Sequence, residues 1–248
     1  MTKLCIIGYG KMGKIIAGMA PTNGFEVVST IDPQVPGSLP SISRENLRGA
    51  EVCVEFSHPS VVLENIRAVA ELRVPLVVGT TGWNAHLDEV SALTEQYSTA
   101  ILHGANFSIG MNIFNHLAAY ATQLCDKFAA YDVWGVEMHH NQKADSPSGT
   151  AIQLADTILA NSSRKTRPVY TMLDRRIEPD ELHFASVRGG KIPGTHMIGF
   201  DSEEDSITLE HGARSRACFA AGALQAAHWI IGRKGLFTFN QMMQSILC

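Results

Sequence analysis

The chain has few cysteines and no excess of positive charge. None of its five cysteines is spaced as C-x-x-C or as zinc ligands, so neither a zinc site nor a disulfide framework is expected. This cysteine usage is typical of a protein in a reducing compartment. Its 20 Lys and Arg residues and 24 Asp and Glu residues give a net charge of −4. The chain therefore has no overall basic field of the kind that attracts nucleic acid. We therefore expect no metal and no nucleic-acid partner.

Long apolar runs, repeats and low-complexity tracts are also missing. The most apolar segment, 217–231, contains Gln225 and His228 and is shorter than a membrane-spanning helix. An early glycine-rich turn breaks the N-terminal apolar stretch, so no signal peptide is expected. The 45% hydrophobic and 18% charged residues are ordinary for a globular enzyme. These features predict a cytoplasmic protein without a membrane partner.

The N-terminus carries a dinucleotide-binding pattern. An apolar strand, 4–7, runs into a G-x-G-x-x-G turn and then into a helical apolar pattern. A second strand, 25–31, ends at Asp32, about 20 residues after the last glycine, where an acid can bond the adenosine ribose. The predicted cofactor contacts in this region are Gly8, Tyr9, Gly10, Lys11, Met12, Gly13 and Asp32.

The same glycines also fit the start of a nucleotide triphosphatase loop, G-x-x-x-x-G-K-[ST]. Ile15 stands where that loop needs a hydroxyl for magnesium, so this alternative is rejected. Asp32 would repel a 2′-phosphate, and Pro33-Gln34 offers no cation to offset the repulsion. We expect NADH to be preferred, with NADPH possible.

Strands and helices alternate over the first hundred residues, which predicts a parallel sheet with helices on both faces. Ligands of such sheets lie beyond the carboxyl ends of the strands. The turns that follow the strands are therefore candidate cofactor contacts. They contain Gly79, Thr80 and Thr81 and, after the next strand, Gly104, Ala105, Asn106 and Phe107. The alternative for 79–82 is a tight connection capped by threonine.

After Phe107 the pattern changes to a long helix, 111–124, and to strands at 131–138, 182–188, 195–200 and 206–211. This spacing indicates an antiparallel or mixed sheet. An alanine-rich helix, 216–231, follows and can pack back on the first domain. We predict a dinucleotide-binding domain of residues 1–107 and 216–248, and a substrate-binding and oligomerisation domain of residues 108–215.

Residues 137–150, EMHHNQKADSPSGT, concentrate groups that handle protons and anions. Imidazole gives or takes a proton near neutral pH, and lysine supplies a compact cation. The Ser148-Gly149-Thr150 turn precedes a helical pattern, where backbone N–H groups favour a carboxylate or phosphate. The bland alternative is a polar crevice followed by an ordinary turn and helix cap.

Five segments together resemble the 4-hydroxy-tetrahydrodipicolinate reductase family: 8–13, 79–82, 105–110, 137–150 and 211–223. The resemblance implies an α/β fold: a Rossmann-type dinucleotide-binding domain plus an α+β substrate and tetramerisation domain with an open mixed sheet. It also implies a homotetramer that reduces a small cyclic dicarboxylate with NAD(P)H in lysine and diaminopimelate synthesis. By the same resemblance His139 is the acid–base residue and Lys143 the catalytic lysine, while His140, Ser148, Gly149 and Thr150 hold substrate carboxylates.

Other polar residues have open interpretations. Glu137 either orients His139 or only ends a strand, and Arg188, His196, Arg214 and Arg216 are either functional or ordinary surface and inter-strand groups. Two rival functions share the glycine-rich turn: another two-domain NAD-dependent dehydrogenase, and a catalytically silent NAD-binding protein. Neither rival needs the His-His-x-x-Lys and Ser-Gly-Thr arrangement, which favours the reductase.

Overall fold

The computed structural model describes residues 1–247. They form two compact units, residues 1–109 together with the segment from Arg216 onward, and residues 110–215. The strands are β1 (Thr2–Ile7), β2 (Phe25–Ile31), β3 (Val52–Glu55), β4 (Leu76–Val78), β5 (Ala100–His103), β6 (Asp132–His139), β7 (Arg167–Val169), β8 (Glu181–Arg188), β9 (Thr195–Asp201), β10 (Ser206–Gly212) and β11 (Gly235–Thr238). The helices are α1 (Lys11–Met19), α2 (Val62–Glu71), α3 (Leu87–Tyr97), α4 (Ile109–Cys125), α5 (Gly149–Asn161), α6 (Ala217–Ile230) and α7 (Phe239–Leu247).

The first unit is built on a six-stranded parallel sheet in the order β11-β5-β4-β3-β1-β2. Alternate residues of β1 enter different cores. Leu4 and Ile6 pack with α1, α6 and α7, whereas Cys5 and Ile7 pack with residues of α2 and α3. Burial on both faces explains why β1, β3, β4 and β5 contain short apolar runs without polar alternation.

The direction of strand addition reverses at β1, which lies between β2 and β3. Connections diverge at such a point and leave a crevice at the carboxyl ends of the strands, here called the carboxyl edge. The turn after β1, Asp32 after β2, and the turns after β3, β4 and β5 all lie along this edge.

The second unit has a five-stranded mixed sheet in the order β10-β9-β6-β8-β7. β6 and β8 are parallel, and β9 runs antiparallel to both β6 and β10. Helices α4 and α5 cover one face through a core that includes Phe114, Leu154 and Phe184. On the other face, Trp134 and Val187 remain exposed.

The predicted α/β architecture, a parallel sheet and a second mixed sheet, is confirmed. Strand β2 has the predicted bounds, and α5 begins directly after Ser148 as expected. The helix predicted from about residue 84 starts as a three-residue 3₁₀ turn, and α3 follows at Leu87. The sequence analysis missed β7, β11 and α7. Within residues 1–247, no helix is long and apolar enough to cross a membrane.

Candidate active site

Strand β6 places Glu137 and His139 on the same side of the second sheet. Side chains two residues apart point to the same face, and the buried residues of β6 are Val133, Gly135, Glu137 and His139. The first two belong to the helix-covered side of the sheet, so the acid and the imidazole continue that buried side toward the strand's end. Cross-strand pairing sets Glu137 between His196 on β9 and Ser186 on β8, and sets His139 beside Arg188.

The Glu137 carboxylate is fully buried and has three partners. Its Oε1 atom accepts hydrogen bonds from Arg188 Nη2 at 2.6 Å and from the Ser148 amide at 3.1 Å. Its Oε2 atom contacts Nδ1 of His139. Burial alone would raise the pKa of Glu137, but the hydrogen bonds, led by that from Arg188, outweigh burial and hold the pKa at about 2. Glu137 is therefore ionised at neutral pH.

The His139 ring lies against Glu137, His196 and Gly194. The ring of His196 meets it nearly edge-on, with centroids 5.3 Å apart and planes at 77°. On the Nε2 side lies Gly194, where an added Cβ would stand only 2.9 Å from Nε2. Burial lowers the pKa of His139, Glu137 opposes the lowering, and Lys143 adds to it. Burial also lowers the pKa of His196, to about 4, so this second imidazole is neutral at physiological pH.

The segment after β6 brings the predicted lysine to the same cluster. Lys143 Nζ lies 2.8 Å from the Asp145 carboxylate, and the carbonyl of Asp145 accepts a hydrogen bond from Arg188 at 2.7 Å. Arg188 thus binds both Glu137 and the loop that carries Lys143. His140 precedes this loop, and its carbonyl accepts the Lys143 amide at 3.1 Å.

Helix α5 begins beside this cluster. Ser148 is its N-cap, with the hydroxyl accepting the Ala151 amide at 3.1 Å. The next residue, Gly149, is exposed, and no described atom lies within 4 Å of where its Cβ would be. The start of α5 is therefore uncovered at Gly149, and the N-terminus of a helix favours a carboxylate. The helix-cap part of the bland alternative is confirmed for Ser148, whose hydroxyl caps α5.

Arg188 and His196 received no firm role from the sequence, yet both contact this cluster. Their involvement follows from strand pairing, which the order of residues in the chain does not reveal. Arg214 and Arg216 have no described contact with Glu137 or His139, so their roles stay open. Glu137 does not end the strand, since β6 continues to His139, and its carboxylate contacts the His139 ring.

Three potential metal ligands meet in the second unit. Ligand atoms of Glu137, His139 and His196 all lie within 4.8 Å of one another, although their sequence spacing gave no sign of it. Arg188 already binds one oxygen of Glu137, and the positive charge of Lys143 acts on His139. This surrounding charge suits an acid–base pair better than a divalent cation. The absence of a metal stays a prediction.

In the first unit, the glycine-rich turn has the shape that a pyrophosphate needs. Gly8 has a φ of +85°, and a Cβ there would collide with the Phe56 carbonyl, while a Cβ at Gly13 would collide with the Gly8 carbonyl. At Gly10, by contrast, no described atom lies within 4 Å of the Cβ position. Gly10 is also the N-cap of α1, where no side chain caps the helix. Helix N–H groups and open space thus coincide, as anion binding requires.

Asp32 is tied to this turn. Its Oδ2 accepts the Tyr9 amide at 2.8 Å, and its Oδ1 accepts the Gln34 amide at 2.9 Å. A cavity of about 810 Å³ opens at the same edge, and Asp32 and Glu64 contribute carboxylates to its lining. No lysine or arginine lines this cavity among the described residues.

The other predicted cofactor turns follow β4 and β5. Thr80 Oγ1 accepts the Ser57 amide at 2.8 Å, so the turns after β3 and β4 are joined. The alternative for 79–82, a connection in which threonine caps the following helix, is wrong. Trp83 and His86 are the N-caps there, and neither helix start has a side-chain cap. The Phe107 ring is buried against Phe56 and Phe239, so this residue can offer only its backbone to a ligand.

A buried carboxyl at the carboxyl edge was missed. Glu55 ends β3 fully buried and contacts the Ser57 hydroxyl, while Asn65 donates to it at 3.3 Å. Burial raises the pKa of Glu55, and its hydrogen bonds partly offset that effect. The available signal was a charged residue closing an apolar strand at the edge where ligands bind.

Comparisons with known proteins agree with this arrangement. The family "Dihydrodipicolinate reductase, N-terminus" matches residues 2–107, and "Dihydrodipicolinate reductase, C-terminus" matches residues 110–243. The 4-hydroxy-tetrahydrodipicolinate reductase of Caldanaerobacter subterraneus subsp. tengcongensis is 36% identical, over 98% of this chain and 99% of its own. That of Staphylococcus carnosus is 33% identical, over 97% and 99%.

A solved structure is similar as well. The dipicolinate-bound dihydrodipicolinate reductase from Paenisporosarcina sp. TG-14 has a TM-score of 0.78 and 25% identity, over 96% of this chain and 97% of its own. Two family matches that together span both units, and relatives above 30% identity over nearly the whole length, agree with the resemblance carried by residues 137–150. The chain belongs to the dihydrodipicolinate reductase family.

Proposed function

We propose that this chain reduces 4-hydroxy-tetrahydrodipicolinate, through its dehydrated form, to tetrahydrodipicolinate in lysine and diaminopimelate synthesis, using NAD(P)H. The observation that carries the proposal is the fold of residues 137–150 in a chain of this family. There a buried imidazole rests on an ionised carboxylate, close to a lysine and an open helix N-terminus. These groups suit a dianionic substrate that must receive a proton.

The two units have separate roles in this proposal. The first binds the pyridine nucleotide: the turn from Gly8 to Gly13 and the start of α1 hold the pyrophosphate, and Asp32 the adenosine ribose. The turns at 79–81 and 104–107 complete that set. The second unit binds the substrate, with Lys143, His140 and the Ser148–Thr150 helix start holding its carboxylates. The steric closeness at Gly8 and the open space at Gly10 support the cofactor assignment.

The chemistry requires one hydride and one proton. The nicotinamide, when bound, supplies the hydride to C4 of the conjugated cyclic imine. The electron pair moves toward the ring nitrogen and leaves an enamine, and His139 donates its Nε2 proton to C3. Lys143 and the N–H groups of α5 hold the carboxylates while this occurs, which fixes the ring relative to the imidazole.

Assembly and location belong to the same proposal. Trp134 and Val187 are exposed on the sheet face of the second unit opposite α4 and α5, and we expect four copies to associate through this face. The protein acts in the cytoplasm as a homotetramer. A molar mass of four chains in sedimentation equilibrium is the expected result.

The reaction is tested by following NADH absorbance with purified protein and substrate made in situ from pyruvate and aspartate semialdehyde by the preceding enzyme. Rapid oxidation that needs the complete mixture is expected. NADH binding without oxidation would contradict the proposal and favour an NAD-binding protein. Oxidation with a different amino-acid or sugar substrate would favour another dehydrogenase.

NADH is expected to have a higher kcat/KM than NADPH, because Asp32 repels a 2′-phosphate and no lysine or arginine lines the adjoining cavity. Two like charges about 4 Å apart near a surface repel by about 1 kcal/mol or more. Asp32→Ser should therefore lower the NADH to NADPH ratio of kcat/KM at least about fivefold. Glu26→Gln, on the exposed surface of β2, is the matched loss of a carboxylate. Equal efficiency of the two cofactors in the unsubstituted enzyme would refute the prediction.

A further inference from the structure

Glu137 is a fully buried carboxylate for which the reaction described above has no direct use. Its side chain does not reach solvent. Its two carboxylate oxygens have different partners. Arg188 and the Ser148 amide both donate to Oε1, whereas Oε2 contacts Nδ1 of His139. Two donors that share one oxygen fix the rotation of the carboxylate, so Oε2 is aimed at the imidazole.

We propose that Glu137 is a positioning residue: it keeps a proton on Nδ1 of His139, directs Nε2 toward the substrate and stabilises the imidazolium that donates the proton. The catalytic part of this role rests on the proposed function, in which His139 donates the proton to the substrate. Its structural part, the coupling of one carboxylate to one imidazole, is independent of the reaction.

The charged and titratable groups around His139 come from the loop after β6, from β8 and from β9. Lys143 from the loop and Arg188 from β8 both disfavour the imidazolium, and His196 from β9 is neutral. Asp145 is engaged by Lys143, and His211 acts on His196 rather than on His139. Glu137 is therefore the group that favours the charged form of His139 among the described neighbours. Without Glu137, the pKa of this partly buried imidazole would be lowered further.

His196 and Arg188 support the same geometry. The edge-on contact of His196 with the His139 ring limits rotation of that ring. Nε2 of His196 lies 3.5 Å from the Ser148 hydroxyl, so it also borders the start of α5. Arg188 keeps Glu137 ionised and joins it to the Lys143 loop through the Asp145 carbonyl. The acid–base residue and the substrate-holding segment are thus held by one set of contacts.

Glu137→Gln is the informative substitution. The amide oxygen must face the donors Arg188 and Ser148, which turns the amide NH₂ toward Nδ1 of His139. An N–H group facing Nδ1 opposes protonation there, so the imidazolium is destabilised. An opposite charge within about 4–6 Å moves a pKa by about one to three pH units. We expect the pKa of His139 to fall by that amount in Glu137→Gln. At a pH above the pKa of His139 in both proteins, kcat should fall about 10- to 1,000-fold.

The test follows the ring nitrogens of His139 by ¹⁵N NMR during a pH titration, with His139→Gln to assign the signals. In the unsubstituted protein the neutral ring should carry its proton on Nδ1; in Glu137→Gln the proton should move to Nε2. The alkaline limb of the kcat profile should move to lower pH by the same amount. Glu203→Gln, an exposed acid in the turn after β9, is the matched control and should change neither.

An unchanged His139 titration in folded Glu137→Gln would overturn the proposal. If that variant does not fold, Glu137→Gln with Arg188→Met removes both buried charges and should still lower the pKa of His139. The NMR result needs no turnover, so it separates the two hypotheses. A protein that shows the coupling but does not reduce the substrate refutes the function alone, and a reductase without the coupling refutes the positioning role alone.

Discussion

His139→Ala is expected to lower kcat by about 10²–10⁴-fold, the usual contribution of a general acid, while the KM for the substrate changes far less. The imidazole is expected to matter most in the transition state, because the proton moves only then. Its Nδ1 contacts Glu137, and Gly194, which has no side chain, lies beside Nε2. Initial rates of NADH oxidation over a range of substrate concentrations measure both constants.

The pH profile adds a second check on His139. Only the imidazolium donates a proton, so kcat/KM, which reports the free enzyme, should decline as the pH rises through the pKa of His139. Burial lowers that pKa, which places the decline on the acidic side of the ordinary imidazole value of about 6.5. The residual activity of His139→Ala should lack this limb. His86→Asn, at an exposed position in the first unit, should retain it together with full kcat. Normal turnover in His139→Ala would remove His139 from the mechanism.

Lys143→Met is expected to raise the substrate KM and lower kcat together, reducing kcat/KM by about 10- to 100-fold. A hydrogen bond to a charged group contributes about 1.5–3 kcal/mol, and one cation here serves both binding and turnover. Methionine keeps the length of the side chain, so lost charge rather than lost packing is measured. In the absence of substrate, Lys143 is held by Asp145, whose side chain is 57% exposed and can release it to a carboxylate ligand.

Lys127→Met removes an exposed lysine beyond the end of α4 and is the charge-matched control. It should leave kcat and KM unchanged. Cofactor KM should also be unchanged in Lys143→Met, because the residue belongs to the second unit. A Lys143 variant that alters only the cofactor KM would contradict the assignment of this lysine to the substrate.

Much of the first unit could be predicted from sequence because its signals are local. Strands β1, β3, β4 and β5 contain apolar runs bounded by polar turns, and burial on both faces makes such runs easy to recognise. β7 was missed because it has three residues with a proline in the middle, and β11 because four residues at the sheet edge carry little pattern. α7 did have a signal, since Phe239, Met242 and Met243 are spaced as one helical face.

The candidate site divides in the same way. His139, Lys143 and the helix start after Ser148 lie within a dozen residues, so their types and spacing were visible in the sequence. Arg188 and His196 join them only through pairing of β6 with β8 and β9, which depends on register over roughly fifty residues of chain. The ionised state of Glu137 could not be predicted either, because it arises from the donors that this pairing supplies.

The alternation along β6 has one more consequence. If this strand paired one residue out of step during refolding, Trp134, Val136 and Met138 would turn toward the helices, and both Glu137 and His139 would leave the cluster. A misaligned sheet could keep much of its backbone hydrogen bonding and circular dichroism, but it would have no acid–base pair. Recovered turnover after denaturation therefore reports correct strand alignment, which spectroscopic secondary structure cannot distinguish.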